Sequence, residues 1–279
     1  MTTFLAIIFG TAAAGFLTKA TLHEGHELAV AAPGLWTASA ICLLIAVAGT
    51  LTSLLIRRAT ASNPHLAFQA SALTVPAETR RMLDRDRPLC YALLASCMFW
   101  LLAGVTQQAV NSLGERQLEL SDDRTSVLVA SIGVGIALGA IAAGRLSRGR
   151  ADFHIMRAGA WGMIICLLML ALPGPQKGHL LGFWGSLPAL LLLGMGAGMF
   201  AIPLQVFMQA RPPDGLKGRM IAAMNQANFA AILLSAGVYW IFDQIVVKLG
   251  WNRSPIFAFM ALIMLPVAWL YRPEDQPLE

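Results

Sequence analysis

The chain is 279 residues long, 57% of them apolar and only 13% charged, with a mean hydropathy of +0.65 and a formal net charge of +5. Ordinary soluble domains carry roughly 25% charged residues, and a water-soluble body of this length cannot cover so much apolar surface. Composition therefore excludes a soluble enzyme. It also speaks against a nucleic-acid partner, because the basic residues fall in short breaks between apolar runs rather than in a stripe with interleaved aromatics.

A hydrocarbon core of about 30 Å is crossed by roughly 20 apolar residues in a helix. Lipid offers no partner for backbone groups, so spans of this kind are helices. Eight runs qualify, and together they predict an all-α polytopic membrane bundle. The first, 3–20, is broken by Gly10 and Gly15 and closed by Lys19; no basic leader precedes it, so a cleaved signal peptide is not expected. A loop with His23, Glu24, His26 and Glu27 follows. Histidines three apart can share a metal on a helix, but no second ligand cluster accompanies them, and the reading is a solvated loop with no metal or cofactor.

The second run covers 33–56. The longest polar break, 57–87, comes next, with Ser62-Asn63-Pro64, Pro76 and the charged stretch Glu78 to Arg87. It reads as a solvated linker between two bundles, within which 77–87 could form a short helix on the membrane surface. Six further runs follow at 88–109, 125–146, 153–173, 180–208, 217–246 and 254–271, then a tail at 273–279. The spans thus divide two plus six. Cys42, Cys90, Cys97 and Cys166 all lie inside apolar runs and read as small buried helix residues.

Lys and Arg mark the cytoplasmic side of membrane proteins. With the N-terminus inside, fourteen of the 20 basic residues fall in cytoplasmic segments, among them Arg80, Arg81, Arg85, Arg145, Arg148, Arg150, Arg211 and Arg219. The expectation is that both termini face the cytoplasm.

Polar groups inside a span are costly and point to a pathway. Gln107, Gln108 and Asn111 lie near the end of the third run, Gln205 and Gln209 near the end of the sixth, and Asn225 and Asn228 early in the seventh. Asn225 and Asn228, three apart, share a helix face, whereas Gln226 points elsewhere. These amides are the candidate substrate-pathway residues, with helix-to-helix bonding as the competing role. Pro203 removes a backbone donor and is a candidate hinge, preceded by Gly194, Gly196 and Gly198. Asp243 is the one carboxylate placed late in a span, near its outer end. Gly135 and Gly139 form a Gly-x-x-x-Gly spacing that permits close approach to a neighbouring helix.

Between the fourth and fifth runs stands Gly144-Arg145-Leu146-Ser147-Arg148-Gly149-Arg150. It resembles the cytoplasmic loop pattern of major facilitator superfamily transporters, with Ser147 where that pattern often has an acid. The six runs after a long linker are similar to the C-terminal half of such a transporter. The segments FWLLAGVTQQAVNSLGERQLELSDD, GVGIALGAIAAGRLSRGR and GMGAGMFAIPLQVFMQARPPDGLKGRMIAAMNQANF narrow the likeness to bacterial lysophospholipid transporters and to the related transporter domain fused to phospholipid-repair acyltransferases, over about residues 88–272.

The resemblance implies alternating access to a lysophospholipid or other small amphiphile in the bacterial inner membrane. The resemblance also implies a chain that begins at the fifth helix of a full transporter, with an N-terminal half to be supplied. The tight turn and cations of Gly144, Arg145, Arg148, Gly149 and Arg150 could latch one conformation of a rocking transporter, or the arginines could only mark the cytoplasmic side and touch lipid phosphates. Efflux of drugs or small solutes on the same fold, or a fragment without activity, are the alternatives. No histidine has Asp five positions on and no Gly-x-Ser-x-Gly elbow occurs, so lipid-enzyme chemistry is not expected.

Overall fold

A computed structural model describes residues 28–56, 75–147, 150–175, 178–271 and 276–277, together with Gly10, Ala13 and Leu17 in helical conformation. Apart from those three residues, the first expected span lies outside the described residues, as does the His23–Glu27 loop. Helix α1 (Leu28–Ser53) is followed by the short α2 (Ala77–Arg85). The long helices α3 (Arg87–Ser112), α4 (Asp122–Leu146), α5 (Phe153–Leu170), α6 (Gly182–Ala210) and α7 (Lys217–Lys248) come next, and α8 (Pro255–Leu270) closes the bundle. Six helices among the described residues are long and apolar enough to span a bilayer, and α8 is a shorter apolar helix. At 16 residues, α8 rises only about 24 Å.

The helices begin and end where local chemistry directs. Asp86 accepts from the Leu89 N–H at 3.2 Å and starts α3, with Pro88 in its first turn, where a missing N–H costs nothing. Asp152 accepts from His154 N and Ile155 N at 2.9 and 3.3 Å and starts α5. Helix α6 stops at Arg211 because Pro212-Pro213 cannot continue it. Part of the expected linker is therefore helical: α2 lies against the start of α3 and against α7.

Helix α6 is the centre of the bundle and packs most extensively against α4 and α5; α3 packs on α7, and α5 on α8. Two glycine pairs set the α4–α6 seam. A β-carbon at Gly194 would fall far inside van der Waals contact distance of the Ile132 carbonyl oxygen, and one at Gly198 would stand 2.7 Å from Ala140 N. Gly135 and Gly139 face Leu191 and Met195 in the same way from the other side. A Gly-x-x-x-Gly stretch on each helix thus interlocks with its counterpart, so main chain meets main chain. Gly196 points to a different neighbour, with its β-carbon position 2.8 Å from the Gly159 oxygen of α5. The interior is filled by Leu102, Leu128, Leu167, Leu190, Phe200 and Met260, all essentially inaccessible.

Helix α1 makes no extensive contact with the other described helices. Its side chains from Trp36 onward are largely bare, Trp36 at 78% and Leu55 just beyond at 82% exposed. A helix apolar all round belongs in hydrocarbon rather than water. One small departure from the all-helical pattern joins Arg150–Ala151 to Gln276–Pro277 as an antiparallel pair, β1 and β2, so the tail runs beside the α4–α5 connection.

Candidate functional site

Because successive spans alternate in direction, α3 starts where α6 ends and α7 starts. Arg81, Arg85, Arg211 and Arg219 gather at that basic end. The α3–α4, α5–α6 and α7–α8 connections lie at the opposite end.

Between the ends, a cavity of about 270 Å³ opens among α3, α4 and α6, with α5, α7 and α8 contributing Met163, Ile232 and Met260. Its wall is almost wholly apolar: Phe99 and Trp100 from α3, Ile132 and Ile136 from α4, Leu193 and Ala197 from α6. Phe99 stacks on Phe200 at 5.7 Å and meets Trp100 edge-on at 5.6 Å, which fixes the aromatic side. Two carboxamides enter this wall, Gln107 and Gln205. They come from the C-terminal parts of two antiparallel helices and so sit toward opposite ends of the cavity. The lining of α6, from Leu193 to Gln205, corresponds to about 18 Å of helix.

The remaining candidates are placed elsewhere. Gln108 is half-buried and reaches the Gly104 carbonyl of its own helix at 3.5 Å. Asn111 is half-buried, and Gln209 is exposed at the end of α6; neither lines the cavity. Asn228 is buried and accepts from Ser96 Oγ of α3 at 3.0 Å, which makes it a helix-packing contact. Asn225, expected on the same face, is exposed, because the boundary of the α3–α7 contact passes between the two. Pro203 is buried within α6, which continues through it to Ala210.

In the expected latch, Gly144 and Arg145 are exposed and Arg145 has no ion-pair partner among the described residues; Arg148 and Gly149 lie outside those residues. Arg150 contributes its backbone to β1. Among the described residues no group of three His, Cys, Asp or Glu is placed to hold a metal.

Both ends carry polar ties. At the basic end, Arg211 Nε donates to Asp86 Oδ2 at 2.6 Å, with the guanidinium over the Phe207 ring at 5.3 Å. Arg219 pairs with Glu78. Tyr271 is half-buried here, edge-on to Phe153 at 6.3 Å.

At the opposite end, α3 closes with a π-helical turn (Leu113–Gln117) that carries Gln117. Its amide donates to Gly178 O at 3.1 Å and Ser254 Oγ at 3.3 Å. Its carbonyl accepts from Arg253 N at 3.0 Å and Ser254 N at 2.9 Å, capping α8. Asp243 pairs with Arg253 beside it. His179 is buried with Nε2 2.8 Å from Leu170 O, and desolvation lowers its pKa, opposed by that bond. Reading the sequence overlooked Gln117, because a glutamine in a polar break carries no periodic signal. It also overlooked Trp100, which counts as one more apolar residue in its run.

An antiparallel helical bundle with a central apolar cavity and polar ties at both faces defines a multi-pass membrane protein. A family model for the Major Facilitator Superfamily matches residues 1–236, and the chain belongs to that family. It is 28% identical over 242 residues to "Lysophospholipid transporter LplT" of Serratia proteamaculans, covering 85% of this chain and 55% of that protein. It is also 28% identical over 261 residues to the protein of the same name from Yersinia pestis, covering 92% of this chain and 57% of the relative. The chain thus spans little more than half the length of the curated relatives it matches.

Proposed function

We propose that this chain is part of a secondary transporter that moves a single-chain amphiphile, of which a lysophospholipid is the best fit, by alternating access. The observation that carries this reading is the cavity. Its long apolar wall suits one acyl chain, and Gln107 and Gln205 offer donors and acceptors to ester or headgroup oxygens near either end. The names of the relatives point to the same substrate class. In this reading 88–272 is the C-terminal six-helix half, 57–87 the cytoplasmic linker and 1–56 two helices of the other half.

The basic end faces the cytoplasm of a bacterial inner membrane and both termini lie on that side. Two halves rocking about a midplane site are needed for alternating access, so further helices from another segment complete the machine. Transport involves no covalent chemistry, and Pro203 gives α6 its bending point. Arg145, Arg148 and Arg150, with Gly144 and Gly149, act as the latch at the cytoplasmic face.

The test is photolabelling in lipid nanodiscs with a lysophosphatidylethanolamine carrying a diazirine in its acyl chain. Label is expected in the peptides containing Phe99–Gln107 and Leu193–Gln205, displaced by unlabelled lysophospholipid and not by a cationic dye. Label confined to the lipid-facing surface, or displaced equally by the dye, would refute the reading.

A further inference from the structure

At the basic end, α2 and the α6–α7 connection enclose a second, open groove of about 700 Å³. None of its lining residues lines the central cavity. Its two acids are already engaged, Glu78 with Arg219 and Asp86 with Arg211. Arg81 and Arg85, one turn apart on the same face of α2, also line it. Among the described residues neither has an ion-pair or hydrogen-bond partner, and both are exposed. Met82, Pro88 and Leu216 supply an apolar floor. The groove therefore presents two uncommitted guanidiniums above apolar surface, and its internal negative charge is neutralised by other cations.

The level of the groove in the membrane adds a second constraint. The apolar part of α3 starts at Pro88 and Leu89, directly after Arg87, so α2 lies at the boundary between water and hydrocarbon. Guanidinium matches phosphate oxygens with planar paired donors, and basic side chains at this level attract anionic lipid. We propose that the groove holds the phosphate headgroup of an anionic bilayer phospholipid, with Arg81 and Arg85 on the phosphate and the glycerol region over Met82 and Leu216. A bilayer lipid rather than the transported amphiphile is the occupant because the groove is separate from the cavity.

The experiment is native mass spectrometry of the full chain released from nanodiscs containing phosphatidylglycerol, lysophosphatidylglycerol and phosphatidylcholine. Wild type is expected to retain phosphatidylglycerol preferentially. Arg81→Gln/Arg85→Gln should lower that preference about thirtyfold, the scale set by two interfacial cations. Arg81→Lys/Arg85→Lys should retain part of it, and Arg80→Gln/Arg87→Gln, an equal charge loss outside the groove lining, should leave it intact. No preference in wild type, or the same loss in the groove and control variants, overturns the proposal. Loss of retained lysophosphatidylglycerol with diacyl lipid unaffected overturns the bilayer source and returns the phosphate to the transported class. Photolabelling of the central cavity is unaffected by any of these outcomes, so the two readings stand or fall separately.

Discussion

Gly139 of α4 lies against the main chain of Met195 in α6: a β-carbon on Gly139 would stand 2.9 Å from Met195 Cα and closer still to its carbonyl oxygen. Nothing flexible is available to give way. Gly139→Ala is therefore expected to separate the two helices and destabilise the bundle by about 1–3 kcal/mol, the usual range for overpacking. Gly162→Ala, whose β-carbon would meet open space, is expected to be neutral or slightly stabilising. Thermal unfolding of the purified chain in detergent measures both, and equal midpoints for the two variants would remove the seam from the account.

Ser96 and Asn228 join α3 to α7 by one buried hydrogen bond. Interhelical bonds of this kind in lipid contribute about 0.6 kcal/mol on average and rarely exceed 2. A double-mutant cycle with Ser96→Ala and Asn228→Ala should return a coupling of that order, with photolabelling of the cavity unchanged. A variant that kept its stability and lost the label would instead make Asn228 a pathway residue.

Gln117 closes four hydrogen bonds across three connections. Gln117→Ala leaves the N–H groups of Arg253 and Ser254 uncapped, and each buried orphan costs about 1–3 kcal/mol. Hydrogen exchange at the start of α8 and at 174–182 should speed up together. Exchange confined to one segment would show that the carboxamide does not link them.

Burial holds the pKa of His179 below its ordinary value, so the unfolded chain binds the proton more readily than the folded one. Stability attributable to this residue is therefore complete at pH above about 6.5 and is lost as pH falls through that value. Wild type should show a lower unfolding midpoint at pH 5 than at pH 7.5. His179→Gln, which keeps a donor for Leu170 O, should show a smaller difference. Parallel pH curves would place the dependence on other groups.

The long helices were legible in the sequence to within a few residues, because bilayer thickness sets the length of an apolar run. Charged breaks such as Glu78 to Arg87 and Pro212-Pro213 mark the ends. Gly135 and Gly139 announced a close approach, although not that α6 would answer with Gly194 and Gly198. The amides were less legible. Spacing tells which residues share a side of a helix but not what that side meets: Gln107 and Gln108 are neighbours, yet one faces the cavity and the other its own backbone. The stretch 77–87 reads from sequence as solvated linker or short surface helix, and its docking is not legible there because the partners of Glu78 and of Asp86 just past α2, Arg219 and Arg211, lie more than 120 positions away in the chain.

The two-sided glycine contact of α6 has a mechanical consequence. A rod whose backbone is gripped by one neighbour at Gly194 and Gly198 and by another at Gly196 can neither roll nor slide without parting three helices at once. Helices α4, α5 and α6 are thereby keyed into a single keel. Shape change is left to the stretch of α6 below Gly198 and to α3 and α7, which meet that keel through side chains that can change rotamer.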